Sequence, residues 1–179
     1  MTGRHTDLGP ADEAPPPVAA VAQGTFYRYF ESKEALFAEL VDDLNGRVRH
    51  AMSEASSQGR TRAEAERLGF AAFFRFTAEH PALYRIIRQA EFASPEALQR
   101  HYDRIAGGYK RGLRRAMDDG EIDDGDETVL AWALMGIGDL IGMRWILWRD
   151  DGPERVPDEV FEQMLAFITR GLGTHAGGA

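Results

Sequence analysis

From Ser32 to Leu172, apolar side chains recur at three- and four-residue intervals, and the interruptions are residues that begin or end helices. That spacing lines one face of an α-helix, and no stretch alternates in the two-residue rhythm of a half-buried strand. Ser32, with Glu34 in the first turn, opens a helix carrying Leu36, Phe37, Leu40, Val41, Leu44 and Val48 as far as Ser56-Ser57-Gln58-Gly59. Thr61 with Glu64 three residues on reads as a capping box for a helix through Leu68, Phe70, Phe73, Phe74 and Phe76 to His80. Pro81 restarts the helix for Leu83, Tyr84, Ile86, Ile87 and Phe92, and Ser94-Pro95-Glu96 begins another with Leu98, Tyr102, Ile105, Tyr109 and Leu113. Asp118-Asp119-Gly120 stops it. Two further helices are expected, over Glu127 to Arg149 and from Pro157 to Leu172. The fold class is all-α.

The chain begins differently. Pro10, Pro15, Pro16 and Pro17 forbid a helix across residues 1–18, and no apolar pattern offers a strand, so residues 1–20 read as a disordered leader. Residues 174–179 read as a frayed tail. Apolar residues make up 44% of the chain, enough for a core, and the net charge of −8 argues against coating nucleic acid with the whole surface. No export signal opens the chain, so a soluble cytoplasmic protein is the expectation.

Gly24-Thr25-Phe26-Tyr27-Arg28-Tyr29-Phe30-Glu31-Ser32-Lys33-Glu34-Ala35-Leu36 packs aromatic side chains and two cations into a short helix from about Val21 to Phe30, a turn and a capped helix start. Composition alone favours a short core helix turning a corner. The order of residues adds a second reading. Gly24, Thr25, Phe26, Tyr27, Tyr29, Phe30, Ser32, Lys33 and Leu36 resemble the end of the DNA-binding domain of TetR-type bacterial regulators, where a recognition helix meets the next long helix. The resemblance extends to the helical layout of residues 21–172, although the motif itself covers only 21–40. It implies a helix-turn-helix remnant over 21–40, with Thr25, Tyr27, Arg28, Tyr29 and Lys33 facing DNA, and a ligand-binding and dimerisation domain over 41–173. The place of the family's first two helices is held by the proline-rich leader, so that part of the DNA-binding domain is missing or degenerate. Across residues 1–33, Asp7, Asp12, Glu13 and Glu31 outnumber Arg4, Arg28 and Lys33, whereas a module that neutralises phosphates should be positive. Operator binding by this chain is therefore expected to be weak.

Val129 to Trp148 is apolar enough to raise a membrane-spanning reading. Asp139 at its centre and Arg144 oppose that, since both would sit deep in lipid. Burial on two sides accounts for the composition better. The resemblance implies that the last two helices form a homodimer interface, here assigned to Gly138, Gly142, Trp145, Phe161, Met164, Leu165 and Ile168. It also implies that the penultimate helix lines an effector cavity. Phe70, Phe73, Phe74, Tyr84, Tyr102 and Tyr109 lie on helices that enclose that cavity in the family, with Arg88, His101, Trp132 and Asp139 as further lining candidates. Asp139 is read either as half of an ion pair, with Arg88, Glu91 or His101 nearby, or as a ligand contact. The effector is expected to be apolar or amphipathic.

Enzyme chemistry finds little support. There is no cysteine, the five histidines fall on different elements, and no HExxH, P-loop, GxGxxG or GxSxG occurs. The acidic run 118–127 lacks EF-hand spacing and reads as a solvated loop. No metal and no cofactor is expected. Two functions remain: a ligand-responsive TetR-type regulator, a repressor, meeting operator DNA if the DNA-binding domain is completed; or a dimeric small-molecule-binding or interaction protein derived from one, without operator binding.

Overall fold

A computed structural model describes residues 32–148 and 155–173, all of whose regular structure is helical. The expected short helix at 21–30, the leader and the tail lie outside the described residues. The chain divides into two compact units, 1–36 and 37–179; of the first, only Ser32 to Leu36 is described.

Helix α1 (Lys33–Ser56) begins as expected, with Ser32 Oγ accepting from Ala35 N at 3.1 Å. Helix α2 (Arg62–Glu79) is capped by Thr61, whose Oγ1 accepts from Glu64 N at 3.2 Å. The reciprocal half of the expected capping box is displaced by one residue. The Glu64 carboxylate takes the backbone N–H of Arg60 at 2.8 Å and pairs with its guanidinium, so it serves the turn before the helix. Only His80 separates α2 from α3 (Pro81–Ala93), and Pro81 sits where its missing N–H costs nothing. Ser94 precedes α4 (Pro95–Asp118) without the side-chain cap that its position promised.

Helix α4 ends in a Schellman motif. Gly120 adopts φ 69°, Glu121 N donates to Ala116 O at 2.8 Å, and Gly120 N to Met117 O at 3.0 Å. The acidic run that follows is put to structural use: Asp126 Oδ1 caps α5 (Glu127–Gly142) through Thr128 N at 2.7 Å and Val129 N at 3.1 Å. In place of one helix to Arg149, α5 gives way to a π-helical turn over Met143–Leu147, closed by Trp148 N to Met143 O at 3.0 Å. Helix α6 (Asp158–Gly171) completes the described fold.

The main core joins Phe70 and Phe74 of α2, Ala106 and Leu113 of α4, Ala131 and Leu134 of α5, Ile146, and Met164, Leu165 and Ile168 of α6. A smaller cluster ties α1 through Val41 and Leu44 to Ile87 and Ala90 of α3 and Ala97 of α4. Burial of the larger of these side chains, at roughly 1.5–3 kcal/mol each, supplies the main force of assembly.

A candidate effector cavity between five helices

The aromatic residues of α2, α3 and α4 enclose a cavity that α5 closes on one side and α1 on the other. Its walls include Leu44, Val48 and Met52 of α1, Phe70, Phe73 and Phe76 of α2, Tyr84 of α3, Tyr102 and Tyr109 of α4, and Leu134 of α5. The free space amounts to about 70 Å³, whereas drug-sized ligands occupy pockets of roughly 300–1,000 Å³. A drug-sized ligand exceeds this free space and must displace some of the side chains around it.

One end of this apolar space is polar. Tyr84 donates its hydroxyl hydrogen to Asp139 Oδ1, with the backbone carbonyl of Asp139 3.0 Å away. Tyr102 donates to Oδ2 at 3.2 Å, and Arg88 Nη1 to the same oxygen at 3.3 Å. Asp139 is therefore both things the sequence left open: half of an ion pair with Arg88 and part of the cavity wall. Burial, together with the negative charge of Asp139, raises the Tyr84 phenol well above its ordinary range and pushes Tyr102 up to about 12. Both tyrosines consequently act as hydrogen donors at any physiological pH.

His101 stands beside this group and is fastened to α1. Asn45 Nδ2 lies 2.9 Å from the His101 carbonyl oxygen and 3.0 Å from its Nδ1. A carbonyl can only accept, so the amide nitrogen is fixed on that side, and Nδ1 must present a lone pair. Burial holds the ring neutral, with its pKa lowered to about 4 despite the opposing influence of Asp139 and Asp42.

Seven of the ten residues expected at the ligand site line this cavity: Phe70, Phe73, Tyr84, His101, Tyr102, Tyr109 and Asp139. Three do not. Phe74 is 4% exposed and packs edge-on against Phe161 of α6, one helical step away from the cavity face. Arg88 holds Asp139 from outside, and Trp132 lies half-exposed behind Tyr102, its ring centroid 5.8 Å away. The α1 wall was missed, although Leu44, Val48 and Met52 at four-residue intervals carried the signal.

Most of the expected dimer residues face the core of the single chain. A Cβ on Gly138 would sit 2.9 Å from Phe70 Cε1, and one on Gly142 3.6 Å from Phe73 Cε1, so both glycines face the chain's own core. Met164, Leu165 and Ile168 are buried there too, and Phe161 packs on Phe74. The most apolar stripes of α5 and α6 are the inward ones. Their outward face is a groove lined by Ile137, Leu140, Ile141, Trp145, Val160 and Phe167, with Leu140 and Phe167 60% and 62% exposed. Of the seven residues, Trp145 and Met164 reach that groove. Glu127–Leu147 is long and apolar enough to cross a membrane, yet its inner face fills this core and Asp139 is held by side chains of the same chain.

Of the residues expected at DNA, Thr25, Tyr27, Arg28 and Tyr29 lie outside the described residues, and Lys33 is described in its backbone alone.

Comparison with known proteins agrees with this architecture. Residues 18–40 match the family described as bacterial regulatory proteins, tetR family. The chain is 37% identical over 79 residues to the HTH-type transcriptional regulator EthR of Mycolicibacterium smegmatis, a match covering 44% of this chain and 36% of that protein. It is 36% identical over 89 residues to the HTH-type transcriptional regulator YdgC of Bacillus subtilis, covering 48% of this chain and 44% of that one. The chain thus spans less than half the length of these curated relatives. Across the fold, the crystal structure of the TetR family transcriptional regulator PfmR from Thermus thermophilus superimposes with a TM-score of 0.66 at 25% identity, covering 86% of this chain and 85% of that one. In its motif at 18–40 and in its helical fold, the chain is similar to the TetR family of bacterial regulatory proteins.

Proposed function

We propose that the chain is a ligand-responsive transcriptional regulator of the repressor type, acting in the cytoplasm as a homodimer. The observation that carries this reading is the cavity: an aromatic space with one polar end at Asp139, walled on one side by α1. Helix α1 runs unbroken from Lys33, at the end of the DNA-binding motif, to Ser56, and places Leu44, Val48 and Met52 in the cavity wall. A drug-sized ligand displaces part of this wall, and the displacement passes along the helix toward the motif. Ligand and DNA would then favour different positions of α1, which is coupling by differential affinity. The partner copy docks on the outward groove of α5 and α6, where Leu140 and Phe167 leave apolar surface in water.

The acidic balance of residues 1–33 and the prolines among them support a second reading for DNA: ligand binding and dimerisation retained, operator binding weak. Thermal denaturation with single-chain alkyl and aromatic compounds tests the ligand site. A stabilising compound should lose affinity in Phe73→Ala, a half-buried wall residue, by more than the substitution lowers stability. No stabilising compound in either series would reduce the cavity to plain core.

A further inference from the structure

Beside the apolar cavity lies a second opening of opposite character, a groove of about 670 Å³ between α1 and α4. Arg49, His50, Arg62, Arg111 and Arg115 line it, together with Ser53, Ser56 and Ser57, and no carboxylate does. Such a concentration of positive charge is anomalous in a chain of net charge −8. Elsewhere several arginines are held in ion pairs, among them Arg67 with Glu162, Arg88 with Asp139, Arg104 with Asp42 and Arg114 with Glu127. Arg49, Arg111 and Arg115 have no such partner among the described residues. Arg62 pairs with Glu66, but its Nε is buried with no hydrogen-bond partner among the described residues. Gly46 and Gly108 leave the groove open, since a Cβ at either would meet nothing within 4 Å.

The groove and the cavity share walls. Met52, Ile105 and Tyr109 belong to both. Along α4, the polar end at Tyr102 and the boundary at Tyr109 are separated by two helical turns, about 10 Å at 1.5 Å per residue. Arg111 and Arg115 lie beyond that boundary. A ligand placed along this axis meets a carboxylate at one end, an apolar middle and arginines at the other. At the Asp139 end the hydroxyls of Tyr84 and Tyr102 are already engaged by the carboxylate, so an amphipathic anion places its head at the arginines.

We infer that the groove holds the anionic head group, a phosphate ester foremost, of a ligand whose apolar tail occupies the cavity. The inference deepens the proposed function and rests on its ligand site. Guanidinium groups match phosphate and carboxylate oxygens through paired N–H donors, and Arg49, Arg111 and Arg115 line the groove. The groove is several times larger than a bare phosphate, leaving room for the remainder of a head group. Its serines add neutral donors along the α1 side.

Calorimetric titration of the whole chain with dodecanol, dodecanoate, dodecyl phosphate and inorganic phosphate tests the assignment, each alkyl probe kept below its micellar concentration. The comparison variant is R49Q/R111Q/R115Q, whose three sites are exposed and outside the core. Dodecyl phosphate should bind the wild type about tenfold or more tightly than dodecanol. That preference should weaken with salt and disappear in the triple variant, which keeps its affinity for dodecanol. A dodecanoate affinity matching that of dodecyl phosphate would assign the head as any single anion and remove the phosphate preference. Equal affinity for dodecanol and dodecyl phosphate, or a preference that survives in the triple variant, overturns the inference while leaving the cavity standing. Inorganic phosphate binding as tightly as dodecyl phosphate overturns it in favour of a free-anion site. Failure of all three alkyl probes overturns the cavity as a ligand site and the head-group assignment with it.

Discussion

The hydroxyl of Tyr84 on α3 donates to the carboxylate of Asp139 on α5, and so converts an acidic residue set within the apolar run of that helix into a joint between two helices. Replacing Tyr84 with Phe removes the donor and leaves Asp139 with Tyr102 and Arg88. Hydrogen bonds to charged groups are worth about 1.5–3 kcal/mol, so Tyr84→Phe should cost about 2 kcal/mol in urea denaturation. In combination with Asp139→Asn the losses should sum to less than their separate values, because both changes remove the same bond. Strict additivity would mean that the two side chains do not act together.

Gly138 is required by what it faces. Phe70 is 2% exposed and has nowhere to retreat from a Cβ at 2.9 Å, so Gly138→Ala should destabilise the fold by about 1–3 kcal/mol. Gly136 lies two residues away on the same helix with nothing within 4 Å of its own Cβ position. Gly136→Ala should therefore stabilise, by about 0.5–1 kcal/mol from helix propensity alone. Thermal melts of the two variants should move in opposite directions.

His101 makes stability depend on pH. Its folded pKa is lowered to about 4 from an ordinary 6.5, so below pH 6.5 the unfolded chain takes up a proton that the folded one refuses. Stability is full above pH 6.5 and falls as pH drops through the window from 6.5 to 4, by about 3 kcal/mol at most. Protonation also sets an N–H against the Asn45 amide nitrogen. In His101→Gln the slope across this window should flatten, as measured by denaturation midpoints at a series of pH values. An unaltered slope would assign the acid loss to other groups.

The outward groove predicts the mode of assembly. Arginine at both Leu140 and Phe167 should reduce the protein to monomers by light scattering, with the helical circular dichroism retained, since both side chains are exposed in the single chain. Leu165→Arg should unfold the protein instead, because Leu165 is 4% exposed within its own core. Dimers surviving the double substitution would place the interface elsewhere.

The sequence revealed how each helix starts more readily than which way it faces. Ser32, Thr61 and Pro81 carry local chemistry that acts within one turn, and all three sit where the spacing predicted. The direction of a helix face is decided by partners distant in sequence. On α5 nearly every face is apolar, so composition could not tell that Gly138 turns to Phe70 and Leu140 to solvent. The same ambiguity put Phe74 at the cavity in place of the α1 residues, because Phe73 and Phe74 are adjacent and only the position of α6 tells them apart. Asp139 was legible because a carboxylate in an apolar run demands partners, and Tyr84, Tyr102 and Arg88 supply them.

On DNA, the acidic balance of residues 1–33 predicts that this 179-residue chain binds its own upstream DNA weakly, with little sequence preference. Anisotropy titration should show binding that vanishes with added salt, as phosphate attraction alone does. Tight, selective binding abolished by Tyr27→Ala would restore the full operator-binding reading.

If the space between α1 and α5 receives a ligand, calorimetric titration with dodecanol of the wild type and of Ile105→Trp will reveal it. Ile105 is half-buried at the boundary between cavity and groove, where an indole fills the passage while its outer edge remains in solvent. Saturable binding is expected in the wild type, at least about tenfold weaker in Ile105→Trp at nearly unchanged thermal stability. Identical titrations of the two proteins, or no saturable heat in the wild type, would contradict it.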